Sequence, residues 1–183
     1  HPIHFCNFKF HNFTPYTIKP LHQVEYTLAK RFLVGAEDIV FSDIDVSIND
    51  ESWWTDLKSK LETTEAVQPF SVFEDQETGK KVSSSVAALE KGEETFYAPG
   101  LIWAFNKDGF RKFGLFFDLF QDGSNDGVIF KQITKANIGV VENMTWTSRE
   151  IANAMPRTDI TYGYIDHTLS HISHPSPKQY DNM

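Results

Sequence analysis

The stretch LIWAFNKDGFRKFGLFFDLF, residues 101–120, constrains this chain more than any other. Its apolar residues are too dense for a solvated segment, and Asn106 to Gly109 carries turn chemistry in its middle. The pattern predicts a strand over 101–105, a tight turn at 106–109 and a second strand over 110–120. On that second strand Phe113, Leu115, Phe117 and Leu119 share one side, and Phe110, Phe116 and Phe120 the other. A strand that is apolar on both faces belongs in the middle of a covered sheet. Asp118, set between Phe117 and Leu119, is then a carboxylate in apolar surroundings.

The flanking segments extend this picture. Residues 5–13 alternate in part and read as a strand, which Pro15 and Pro20 close. Leu21, Val24, Leu28 and Phe32 recur at helical spacing. Residues 39–48 alternate as a half-buried strand, with Ile44, Val46 and Ile48 on one side and Asp45 and Ser47 on the other. Asp50 reads as the cap of a helix expected to begin near Glu51, with Trp54, Leu57 and Leu61 as its apolar stripe. Residues 69–89 read as a hairpin turning near Thr78 and Gly79, and Glu90 to Glu94 as a charged loop. DGSNDG, residues 122–127, reads as a polar turn into a further strand. Thr147 and Glu150 form a capping box for a helix that Pro156 ends, with Trp146 and Ile151 as its hydrophobic staple.

Hairpins interspersed with helices give an α+β fold: a single domain over residues 1–174, with an irregular tail at 175–183. Its sheet is expected to be largely antiparallel and built from hairpins, with about three helices packed mainly on one face. With 183 residues and 16 phenylalanines, the core of such a domain is aromatic-rich.

Charge and cysteine usage narrow the function classes. The net charge of −8 disfavours nucleic-acid phosphates and anionic membranes as partners, and suits a basic protein or a cation. No apolar run reaches the roughly 18 residues that membrane insertion requires. The one cysteine, Cys6, forms no disulfide within the chain and favours a reducing compartment. Sequons at Asn12 and Asn143 keep secretion open, as does a viral or processed origin for a chain that starts without Met.

Three residue sets can carry function. The first is a binding surface around the start of the second helix: Trp53, on the flank of its apolar stripe, with Asp50, Glu51 and Asp56. Aromatic surface ringed by acids suits a cationic partner, so the leading expectation is a non-enzymatic protein-binding or assembly module. The second is Asp43, Asp45 and Asp118. Acids at i and i+2 on a strand project to one face, and a third from a neighbouring strand completes a site for Mg²⁺. The third is His167, His171 and His174, which share one face if the segment is helical and there suit a transition metal.

The segment GAEDIVFSDIDVSI, residues 35–48, together with Asp118 in FFDLF, resembles the nucleotidyltransferases of the DNA polymerase β superfamily. That superfamily runs from a helix through a Gly-Ser loop to an Asp-x-Asp strand, with a third acid on a later strand. Ala36 stands here in place of the Ser. The resemblance implies Mg²⁺-dependent nucleotidyl or phosphoryl transfer by Asp43, Asp45 and Asp118, as the alternative to a binding module.

Overall fold

A computed structural model describes residues 38–43, 45–93, 98–113, 125–135 and 159–172. It is an α+β fold whose described residues form two four-stranded sheets and four helices. Sheet one has the strand order β1 (Asp38–Ser42), β6 (Ile102–Asn106), β3 (Ala66–Gln68), β7 (Tyr162–Tyr164). Sheet two has the order β2 (Val46–Ser47), β8 (Thr168–His171), β4 (Val72–Asp75), β5 (Lys81–Ser83). Most pairings are antiparallel; β3 with β7 and β4 with β8 are parallel. The chain passes from sheet one into sheet two between β1 and β2, and again through short kinks at 69–71 and 165–167. The parallel pairing runs through the last two in one register, from Ala66 opposite Tyr162 to Asp75 opposite His171.

Strand alternation sorts the core. Ala66, Trp103 and Phe105 point to one face of sheet one, and their neighbours Val67 and Ala104 to the other. The first face carries three helices: α2 (Ser85–Glu90), α3 (Lys107–Phe113) and α4 (Asn125–Thr134). Here Phe105 stacks on Phe113 with ring centroids 5.3 Å apart, and Phe130 and Ile133 are fully enclosed. The other face carries α1 (Trp53–Leu61), which buries Leu57 and Leu61 as its stripe leads one to expect. The helices thus lie mainly on one face, with α1 alone opposite.

Several expectations need correction. The chain does not reverse as a hairpin after β6; it enters α3. Asn106 is the reason, because its Oδ1 accepts the N–H of Gly109 at 2.9 Å, the bond of a helix N-cap. Its amide also donates to the carbonyls of Leu61 and Thr64, both at 3.1 Å, which fixes where the helix starts. Phe110 and Phe113 are buried, but on a helix face rather than a strand. Residues 125–134, from within DGSNDG onward, likewise form α4, where a strand was expected. Ser84 caps α2 by accepting from Ala87 N–H at 3.2 Å, so the hairpin expected over 69–89 ends with β5. Of the sheet pairings among the described residues, only β4 with β5 is a hairpin; its turn falls at Gly79, whose φ of +66° suits a residue without a side chain. In place of the one strand expected over 39–48 there are two, β1 and β2, which join different sheets. The expected strand at 5–13, helices at 21–32 and 146–155, and tail at 175–183 lie outside the described residues, as do Cys6, Asp118 and His174.

Candidate functional site

The start of α1 meets the kink between β7 and β8. Asp50 lies just before the helix, Ser52 at its N-cap position and Asp56 in its first turn. The Asp50 carboxylate accepts the backbone N–H of Ser52 at 2.9 Å, closing the turn that leads into the helix. The Ser52 hydroxyl donates to Asp56 Oδ2, also at 2.9 Å. Between the two carboxylates sits the ring of His167: Nδ1 lies 3.1 Å from Asp50 Oδ2 and Nε2 lies 2.9 Å from Asp56 Oδ2. The ring is 7% exposed, against 52% for the Asp50 side chain and 49% for Asp56. A buried imidazole is therefore roofed by two half-exposed acids.

Local bonds hold both acids in their charged form. The Ser52 N–H is the main influence that lowers the Asp50 carboxyl below its ordinary value, with the His167 ring adding to it. For Asp56 the Ser52 hydroxyl comes first and the His167 hydrogen bond second; the neighbouring charge of Asp50 opposes both.

Trp53 occupies the inner flank of this cluster. It is half-buried, stacks at a tilt on Trp54 with centroids 5.7 Å apart, and donates its indole N–H to the Pro69 carbonyl at 2.9 Å. It therefore contributes an edge to the surface rather than an open face. Glu51 is exposed, and so is Asp166, which accepts the Ser71 hydroxyl at 2.6 Å across two kinks.

Asp43 and Asp45 lie between β1 and β2. Asp43 is exposed and its N–H donates to the Leu101 carbonyl at 2.8 Å. Asp45 faces His171 Nε2 at 3.2 Å. β1 ends at Ser42 and β2 begins at Val46, so neither acid lies within a strand and the i, i+2 rule does not place them on one face. His167 and His171 are separated by four residues of extended chain, roughly 13 Å. His167 is engaged by Asp50 and Asp56 and His171 by Asp45, so the structure does not bring the two rings to one centre. Among the described residues there is no group of three or more His, Cys, Asp or Glu side chains placed to hold a metal ion.

The structure thus joins two sets that the sequence keeps apart: Asp50 and Asp56 from the acidic surface, and His167 from the histidine set. The contact spans 117 and 111 residues, and no local spacing signals it. Ser52 is the member that sequence reading misses; its place between two acids, one of them four residues on, was the available clue. Chemically the cluster lacks a nucleophile in line. Ser52 points its hydroxyl at Asp56 and not at the ring, so no Ser–His pair forms.

Comparison of the chain with protein families, with curated proteins and with solved structures finds no match.

Proposed function

We propose that the chain is a non-enzymatic protein-binding or assembly module that offers the acidic surface at the start of α1 to a basic partner protein. The observation that carries this reading is the charge balance of that surface. Asp50, Glu51, Asp56 and Asp166 are all exposed there, and the one basic side chain that pairs with them among the described residues is the buried His167. Four acids against one histidine leave an excess of acid, which adds to a net charge of −8 and steers cationic partners over a Debye length. The half-buried Trp53 and Trp54 supply apolar edge beside it. Aromatic residues with a charged rim match the make-up of protein interfaces.

The test compares proteins captured from the native source by the wild-type chain, by Glu51→Lys and by Glu77→Lys. Both glutamates are exposed, and Glu77 lies in the distant β4–β5 turn. The expected result is a basic protein held by wild type and Glu77→Lys, lost by Glu51→Lys, and released in 1 M salt, where the Debye length is about 3 Å. Capture that is indifferent to Glu51→Lys and to salt would refute the reading. Sedimentation of the chain alone separates the remaining case, self-association, which would strengthen with salt because like charges repel.

A further inference from the structure

The ring of His167 sits on the kink that turns β7 into β8. Its backbone carbonyl accepts the N–H groups of Ser71 at 2.9 Å and Val72 at 3.2 Å from the neighbouring kink. Its side chain faces the other way in the packing, onto α1. We propose that His167 is a proton-operated latch that fastens the start of α1 to the bend between the two sheets.

The geometry carries the inference. Both ring nitrogens point at carboxylate oxygens, at 3.1 and 2.9 Å. A carboxylate only accepts, so both nitrogens must donate, and only the imidazolium has two N–H groups. In that state a cation lies between two anions with two charge-assisted hydrogen bonds, which are the stronger kind. Loss of one ring proton turns one nitrogen into an acceptor facing another acceptor. The local charge then passes from one net negative to two, inside a contact that holds almost no solvent on the ring side. The neutral ring keeps one of its two donors, so deprotonation weakens the fastening of the helix start by one charge-assisted bond.

The charged surroundings leave no substitute. Among the described residues neither Asp50 nor Asp56 pairs with any cationic side chain other than His167. Asp166, next in sequence, is turned to the Ser71 hydroxyl at 2.6 Å. Glu51 is exposed and can only add negative charge. The other histidine of this strand, His171, is on Asp45 at 3.2 Å at the far end of β8. At low pH the acids themselves end the closed state. Their carboxyls are held below the ordinary range, by Ser52 first for both, so both acids stay charged to a lower pH than free carboxylates.

Amide hydrogen exchange over residues 53–57, recorded against pH with the His167 ring followed by NMR, tests this in the full chain. After correction for intrinsic exchange, opening should speed these amides by about tenfold, the factor equivalent to one charge-assisted hydrogen bond. The step should coincide with titration of the His167 ring. His167→Gln should remove the step. Asp56→Asn decides the matter if that variant folds poorly: the introduced amide can donate to the unprotonated nitrogen, so the helix start should stay protected after the ring loses its proton. His171→Gln should leave the step in place. A ring that titrates with no change in exchange overturns the proposal, as does an unchanged step in Asp56→Asn. None of these readings involves a partner, so the latch and the binding surface succeed or fail separately.

Discussion

Replacing Gly109 by alanine is expected to destabilise the fold although it lies in a helix, where alanine is ordinarily favoured. An added Cβ would overlap the Glu65 carbonyl oxygen and lie 2.7 Å from the Glu65 carbonyl carbon and 2.9 Å from its Cβ. Helix propensity alone would stabilise the variant by about 1 kcal/mol. Overpacking of a tight contact costs about 1–3 kcal/mol, and the upper end applies because the obstacle is backbone, which cannot rotate aside as a side chain does. To relieve the overlap α3 must lift from β3, which loosens the bond from Gly109 N–H to Asn106 Oδ1 and costs about 1 kcal/mol more. It also pulls Phe110 and Phe113 from the fully buried aromatic cluster with Phe105. The net loss should be about 3 kcal/mol, or about 6–12 °C in Tm for a domain of this length. Thermal unfolding followed by circular dichroism measures it. Two glycines serve as references. Gly163→Ala meets the end of the Lys60 side chain, Cε at 2.5 Å and Nζ at 3.0 Å, which can swing away at a cost of under about 1 kcal/mol. Gly79→Ala has open space but a φ of +66°, a strain of about 1–2 kcal/mol. A Tm for Gly109→Ala within about 2 °C of wild type, or above it, would refute the reasoning.

Other outcomes follow from the same contacts. Phe113→Ala should cost about 3–5 kcal/mol in urea unfolding, since its ring is fully enclosed and stacked on Phe105; a loss under about 1 kcal/mol would contradict that packing. Asn106→Ala should cost about 2–3 kcal/mol, because the cap of α3 is lost and the carbonyls of Leu61 and Thr64 lose their donor. Glu65→Gln should flatten the acid limb of stability. Burial pushes the Glu65 carboxyl up, but Lys112 and the Thr161 N–H outweigh it and hold the group below its ordinary value. A folded value lower than the unfolded one gives stability that is present above the unfolded value and lost as pH falls through the folded one. Acid titration of wild type against Glu65→Gln reads this, and parallel curves would count against it.

The parts of the fold that were legible share one property: their signal is local and has a single period. The stripe Trp54, Leu57, Leu61 fits a helix and no strand, and α1 buries two of these residues as expected. The β4–β5 hairpin has its turn residue and its alternation within a dozen positions. The Phe-rich segment failed for the opposite reason. An almost continuous apolar run has no period, so length and caps must decide between strand and helix. Asn106 can open a turn or cap a helix, and its carboxamide could be assigned only with Leu61 and Thr64 in place to accept from it. Likewise Ile129, Phe130 and Ile133 fit a helix face once the other side of α4 is known, and fit a strand otherwise.

The site divides along the same line. Acid density around the start of α1 can be read from seven consecutive residues, because the chain needs no partner for that. What the acids do cannot. Asp50 and Asp56 meet a ring more than a hundred positions away, between β7 and β8, which run parallel to β3 in sheet one and to β4 in sheet two in one register. That contact changes the meaning of the surface. Two of its acids are tied to the fold through His167 and Ser52, so replacing either disturbs the helix start as well as the charge. Glu51 is exposed in the same turn and has no such ties among the described residues. A loss of binding on charge reversal at Glu51 can therefore be assigned to the surface, and a loss at Asp50 or Asp56 only after α1 has been shown to stay protected.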